Sequence, residues 1–527
     1  MDENELSEEN KKLKNELKKI KSSHAFKYSK IVRENIIHKK KPLSFIKSSI
    51  RYYFDYKNSQ KYSDDRLIDK YKKKGTEELL GYANKRSASV HYKQFQLLRN
   101  IEVKEIHTGD VFKGKVFYIL HNSLPYSTGG YATRSHGIAT AMKENGLEVV
   151  CVSRPGFPYD MGVLEDIPSD EYIDGIQYKR IKGPERKGIS TCEYMQKCID
   201  SFYNLFELEK PSCVWAASFY ITALPAFIAA KKLGIPCVYE VRGLAEITKV
   251  SRDSTFYQTE EYNTKYILEA ETVNFSDYTL AITEAVKDEL VSRGCPPKKI
   301  GVLPNSCDPT RFQTQVDSSQ AKEKLGIPEE VPVIGYIGTF VDYEGLERLA
   351  EACGSLKSSG ISFRLLLVGS ENTTGKVKGR ITEEILSIAN RYGYEDWLLM
   401  PGRVSYEDVK LYYSVIDIAP FPRKPWPVCE LVSPMKPLEA MAMGKAIIVS
   451  DVKALKELVE DGVTGLHYGK GNIEDLFFAL KKLVNDAEMR HELGARAQKW
   501  AIGERNWKST VSFSVEEIKS HLGDVDA

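Results

Sequence analysis

The 527-residue chain has no Cys-x-x-Cys spacing and no cysteine paired with histidine; its nine cysteines are scattered from Cys151 to Cys429. That excludes a zinc ribbon or finger, and an odd, dispersed set points to reduced thiols in a cytosolic protein. The amino terminus, MDENELSEENKK, lacks the pattern of a signal peptide, so the expected location is cytoplasmic. One uncharged run tempts a membrane reading, Cys213 to Ala230, CVWAASFYITALPAFIAA. Ser218, Thr222 and the mid-run Pro225 make it read as a buried strand, Cys213–Ala217, followed by a helix ending near Gly234. Excess charge of one sign is also missing, the net being +2. The near-balance hides an asymmetry: residues 1–75 hold 21 Lys/Arg against 11 Asp/Glu, leaving 54 against 62 in the rest. A basic arm on a mildly acidic body suits surface binding by the arm and argues against a nucleic-acid-binding protein.

What is present is room for two large domains plus an extension. Residues 5–22 place Leu6, Leu13, Leu17 and Ile20 on one side of a charged helix, a solvated helix or a short coiled coil. Residues 39–57 are more specific. Leu43, Ile46, Ile50 and Phe54 recur at helical spacing among Lys47, Arg51 and Lys57, just after Lys39-Lys40-Lys41. That is the composition of a helix lying in a membrane interface, and equally of a helix packed on the protein's own body. From Lys115-Val116-Phe117-Tyr118-Ile119-Leu120 onward, strands and helices alternate regularly, which predicts an α/β chain of doubly wound type. The loop after this first strand contains Gly129-Gly130, where backbone can approach a ligand closely.

The most informative stretch is Glu430 to Asp451, ELVSPMKPLEAMAMGKAIIVSD. Glu439 opens a run of strong helix formers, Gly444 ends it, and Ala446–Val449 reads as a buried strand. Pro434 and Pro437 lie where their missing N–H groups are tolerated. The free amides of Met435 and Lys436 would then face outward at a positive helix end, which suits a phosphate, and Lys436 adds a full charge.

This stretch resembles the donor-site motif of retaining, nucleotide-sugar-dependent glycosyltransferases of family 4, with the GT-B fold. The family pattern is Glu, seven residues, then Glu-Ala-x-Ala-x-Gly-x-Pro-Val-Val. Glu439 falls on the second glutamate and Pro434 on the motif's proline, whereas Leu431 stands in the first glutamate's place with Glu430 one residue away. The resemblance runs over roughly residues 115–515 as motifs in the right order. The Gly129-Gly130 loop matches the family's acceptor-side loop, and Val302-Leu303-Pro304-Asn305 to Phe312 its interdomain junction. Two departures stand out. Arg242 occupies the place of a histidine close to the transferred sugar; an arginine there suits an anionic acceptor or the departing phosphate but cannot act as a base. After Gly338, Thr339 and Glu344 replace the arginine and lysine that hold the donor pyrophosphate.

The resemblance implies two Rossmann-like domains facing a cleft, with a helical N-terminal extension. The expected divisions are a basic extension at 1–110, an acceptor domain at 115–315, a nucleotide-sugar domain at 320–500 and a helix at 501–527 that crosses back. The implied activity is sugar transfer from a UDP- or GDP-linked donor to a glycan or lipid-linked acceptor with retention. No cofactor is expected, and no metal, since no Asp-x-Asp stands at a strand end. Donor contacts are expected from Gly338, Thr339, Arg403, Pro434, Met435, Lys436 and Glu439, and catalytic roles from Arg242, Lys436 and Glu430. Residues 39–57 would hold the enzyme at the inner face of the cell membrane. Two rivals stay open: a catalytically silent GT-B subunit that positions a partner transferase, suggested by the lost cations, and a GT-B epimerase or phosphorylase.

Overall fold

The computed structural model describes residues 65–523 apart from short segments at 86–88, 100, 107–110, 164–165, 185, 187, 313–317, 372–378 and 406–407. The patterns at 5–22 and 39–57 lie outside the described residues.

Two sheets carry the fold. The first comprises β1 (Lys115–Leu120), β2 (Glu148–Ser153), β3 (Asp170–Ile173), β4 (Ile176–Lys179), β5 (Cys213–Ala217), β6 (Cys237–Val241), β7 (Tyr278–Ala281) and β8 (Ile300–Val302), in the order β3-β4-β2-β1-β5-β6-β7-β8. The second comprises β9 (Val333–Ile337), β10 (Arg364–Val368), β11 (Leu398–Gly402), β12 (Ile418–Phe421), β13 (Ala446–Ser450) and β14 (Leu466–Tyr468), ordered β11-β10-β9-β12-β13-β14. Every pairing is parallel except β3 with β4. Parallel strands covered on both faces need continuous apolar runs, and β5, β6 and β13 are buried at every position. The exception is an edge hairpin turned by Asp174 and Gly175, both with positive φ (50° and 73°), as a type I′ turn requires.

The uncharged run at 213–230 forms β5 and the helix Tyr220–Lys232, and no helix among the described residues is long and apolar enough to cross a membrane. The helix Trp507–Gly523 leaves the second domain and buries Trp507, Val511, Ile518 and Leu522 in the first domain's core beside Val116 and Met142. It begins six residues later than the expected crossing at 501.

The extension differs from expectation as a unit. From residue 65 it belongs to the first domain: Leu67, Tyr71, Leu79, Tyr92 and Phe95 are buried in one cluster with Phe202, Phe206 and Phe227. Tyr71 Oη donates to Glu271 Oε1 at 2.5 Å, and Thr76 Oγ1 to Oε2 at 2.7 Å. The reason is the apolar spacing: these side chains form an inward face that a free arm would leave in water.

Chain order reverses between β1 and β5 in the first sheet, and between β9 and β12 in the second. In doubly wound sheets ligands bind beyond the carboxyl ends of the strands at such reversals.

Candidate active site

At the second sheet's reversal, β9 is followed directly by Gly338 (φ 151°), a conformation that favours glycine. The aliphatic part of Lys436 fills the space a Cβ there would need, so the lysine lies across the end of β9. Lys436 opens the helix Lys436–Ala442, which starts three residues before Glu439 because Pro437 is accommodated in its first turn. Lys436 Nζ donates to Tyr336 Oη at 2.5 Å and stands 3.3 Å from Glu344 Oε1. Arg423, just beyond β12, donates to the same Oε1 at 3.3 Å and to the Val432 carbonyl at 2.7 Å. Glu344 and Arg423 are buried, whereas Lys436 is partly open. Burial pushes the Glu344 carboxyl up, but the charges of Lys436 and then Arg423 outweigh it and hold the group below its ordinary range.

The other residues expected to contact a donor lie at the ends of neighbouring strands and on the same helix. Glu439, half-buried, receives a long hydrogen bond of 3.4 Å from Tyr413 Oη. Thr339 is exposed beside Gly338. Arg403, just past β11, donates from Nε to Ser370 Oγ at 2.9 Å, at the end of the neighbouring β10. Lys424 is tied to Glu347 at 2.6 Å. Glu430 is drawn elsewhere: Oε1 pairs with Lys470 Nζ at 2.7 Å and Oε2 accepts from the Lys453 amide at 2.9 Å. Its two oxygens therefore brace the segments that follow β14 and β13, which corrects the reading of Glu430 as catalytic. Leu431, in the first glutamate's place, packs against the first domain's core.

The 428–435 segment is also where the domains meet. Thr283 Oγ1 donates to the Leu431 carbonyl at 2.6 Å, Asn305 Nδ2 to the Ser433 carbonyl at 2.7 Å, and the Val428 amide to Ser251 Oγ at 3.1 Å. Met435 reaches across toward Gly130, where a Cβ would lie 3.5 Å from its methyl. Gly129 and Gly130 are exposed at the start of the helix Gly130–Glu144. Pro434 sits between Ser433 and Met435, two of these four crossings. The Gly-Gly loop and the 428–435 segment therefore face each other.

Arg242 does not join them. All five of its N–H donors are engaged: Nε and Nη2 on Glu240 (2.8 and 3.1 Å), Nη1 on the Tyr131 carbonyl and Ser135 Oγ (2.9 and 2.8 Å), and Nη2 also on Tyr118 Oη. Arg134 pairs with the same Glu240 at 2.8 Å and reaches Asn305 Oδ1 at 2.8 Å. Burial raises the Glu240 carboxyl, yet Arg242 and Arg134 overcome it and bring the pKa to about 2. The expectation that Arg242 binds an acceptor anion or phosphate is thus corrected: no donor is left for one. It ties β6 to β1 and to the helix carrying the Gly-Gly loop, and so positions that loop.

One cleft residue escaped the sequence reading. His121, at the end of β1 beside the first sheet's reversal, bonds Thr222 Oγ1 through Nδ1 at 2.7 Å, and its amide donates to Tyr131 Oη at 2.9 Å. The ring is set deep enough that burial, then Arg154 and Arg186, push its pKa to about 3, although part of the residue reaches the surface. A histidine directly after the first strand was the available signal.

Residues 128–311 match the family model described as Glycosyltransferase Family 4, and residues 317–500 that described as Glycosyl transferases group 1. The chain is 25% identical over 228 residues to the lipopolysaccharide 1,2-N-acetylglucosaminetransferase of Salmonella typhimurium, covering 43% of this chain and 58% of that protein. It is 22% identical to the D-inositol 3-phosphate glycosyltransferase of Rhodococcus jostii, covering 72% of this chain and 82% of that one. Among solved structures, sucrose-phosphate synthase from Thermosynechococcus elongatus superposes with a TM-score of 0.63 at 17% identity, over 78% of this chain and 100% of that one. Anabaena HepE in complex with UDP-glucose gives 0.58 at 15%, over 77% and 99%. Matched in chain order by these two models and laid out on this fold, the two sheet domains correspond to the family 4 and group 1 domains of a GT-B glycosyltransferase.

Proposed function

We propose that this protein moves a sugar from a UDP- or GDP-linked donor to a glycan or lipid-linked acceptor with retention, in surface polysaccharide or glycoconjugate synthesis. The observation that carries the reading is Lys436, lying across Gly338 at the second sheet's reversal with Glu439 on the same helix. In this reading the ammonium meets the donor phosphates, with Arg423 behind it, and the Glu439 carboxylate accepts ribose hydroxyls. The acceptor enters beside Gly129-Gly130. Its oxygen bonds to the sugar's anomeric carbon on the face the phosphate leaves, and its proton passes to a departing phosphate oxygen. Fixed cations stabilise the leaving group without a metal. The acceptor class is supported by relatives named for lipopolysaccharide and for colanic acid biosynthesis.

The test is titration of the intact chain with UDP and GDP, beside a screen of nucleotide sugars for transfer and hydrolysis. Glu439→Ala should abolish transfer in a protein that still folds; wild-type turnover in that variant would end the assignment. A second reading, a silent GT-B subunit, is favoured by Thr339 and Glu344 standing where the pyrophosphate cations belong. It forecasts no turnover with any donor.

A further inference from the structure

Glu344 is the anomaly of the donor side. A carboxylate stands where the resemblance places a phosphate-binding lysine, and it is buried between the two cations nearest the proposed phosphate position. It is held firmly there. The turn Asp342–Glu344 is clipped to the segment after β12, with the Lys424 amide donating to the Tyr343 carbonyl at 2.9 Å and Cys429 Sγ to the same oxygen at 3.6 Å. The backbone that carries Glu344 is therefore fixed in place.

Its bonding is uneven. Lys436 and Arg423 both converge on Oε1, while Oε2, buried, has no hydrogen-bond partner. Arg423 shows the counterpart: Nη1 is tied to Val432, Nη2 reaches Oε1 at a long 3.3 Å, and Nε is buried without a partner. An unused carboxylate oxygen and an unused guanidinium N–H on two groups already in contact are the halves of a bidentate pair. A buried charged group with unused bonding capacity is costly, so a second arrangement of the same residues is to be expected.

We propose that Glu344 is a displaceable counter-ion for Lys436, one that a nucleoside diphosphate replaces. Without ligand its carboxylate holds the ammonium on the pocket floor; with the pyrophosphate bound, Lys436 turns to the phosphate and Glu344 closes a two-point pair with Arg423. Glu344 is thus a positioning residue that lowers affinity for the donor and for the nucleoside diphosphate product, and so speeds product release. Its lowered pKa keeps it charged at neutral pH, as this role needs. The inference rests on the donor-site reading above.

The experiment is calorimetric titration of the full chain with UDP and GDP, comparing wild type, Glu344→Gln and Glu344→Asp, with thermal melts to confirm folding. Removing the competing charge should tighten binding about tenfold in Glu344→Gln, the size of one partly buried charge interaction. Glu344→Asp, which keeps a partner for Arg423 but withdraws it from Lys436, should move the same way and less. In a Lys436→Ala background the gain should shrink to below about threefold. A purely structural Glu344 would give equal or weaker binding in both folded variants, and that result overturns the proposal. So does a gain that persists undiminished without Lys436. If the wild type binds neither nucleotide, the donor-site reading itself falls.

Discussion

A Cβ on residue 338 would stand 2.3 Å from Lys436 Cε and 3.0 Å from its Nζ, so the glycine at the end of β9 is what gives the lysine its seat. Gly338→Ala should therefore act on ligand binding more than on folding. The new methyl meets the flexible end of a side chain, which can leave, and the positive φ adds about 1–3 kcal/mol of strain. We expect a folded protein, melting somewhat lower, whose affinity for UDP or GDP drops about tenfold or more. Unchanged nucleotide affinity would show that Lys436 does not work from this seat.

Lys436 and Lys470 make a useful pair. Both contact a glutamate, but Lys436 does so at the sheet reversal and Lys470 on the part-exposed Glu430. An ion pair of the second kind is worth at most about 1 kcal/mol. Lys436→Ala should weaken nucleoside diphosphate binding severely, while Lys470→Ala leaves it within about twofold, both measured by titration. Equal losses would remove Lys436 from its proposed role.

Arg242 should behave as structure. Truncating one partner of a buried ion network typically costs about 3–5 kcal/mol, here leaving Glu240 with Arg134 as its remaining cation. Arg242→Ala is expected to lower the melting temperature sharply, and Arg242→Lys to rescue little, since one ammonium cannot serve five acceptor contacts. The pH dependence has a definite sign. A carboxyl whose folded pKa is about 2 against an ordinary 4.5 contributes stability that is complete above about 4.5 and disappears as pH falls toward 2. Melting curves from pH 6 to 3 should show that loss in the wild type, and less of it in Glu240→Gln, which is already destabilised at pH 6.

These outcomes mark what the chain disclosed by itself. KVFYIL, CVYEV and AIIVS could be read as parallel strands because burial on both faces demands mostly apolar runs, and Gly444 (φ 67°) ends its helix as a glycine after such a run should. The Asp174-Gly175 hairpin was equally legible by its turn chemistry and went unread. Arg242 was placed correctly along the chain and wrongly in space. Glu240 and Arg242 share a face of an extended strand, and that spacing of two was the clue that the guanidinium turns inward. The Glu344–Lys436 contact had no such clue, because it joins a turn after β9 to a helix start after β12 that only the β9–β12 adjacency brings together. The inward face of 65–98 was hidden by its lysines, whose heads stay in water while Leu67 and Tyr71 are buried.

That last point decides how the basic arm must be tested. A chain beginning near Val111 would lose Leu67, Tyr71, Leu79, Tyr92 and Phe95 from the first domain's core. Each such side chain contributes about 1.5–3 kcal/mol by burial, together as much as a domain's net stability. Such a chain would misfold or aggregate, and pelleting would report nothing about membranes. The cut belongs before Asp65, where the buried face begins. Lys39, Lys40, Lys41, Lys47, Arg51 and Lys57 would then be removed with Ile46, Ile50 and Phe54. Each cation is worth about 1 kcal/mol near an anionic surface. The full chain should co-sediment with phosphatidylserine-containing vesicles at low salt and be released at high salt, whereas a chain starting at Asp65 stays in the supernatant with an unchanged melting temperature. Equal behaviour of the two would mean that residues 39–57 pack on the protein or on a partner, and would leave a soluble acceptor as good a candidate as a lipid-linked one.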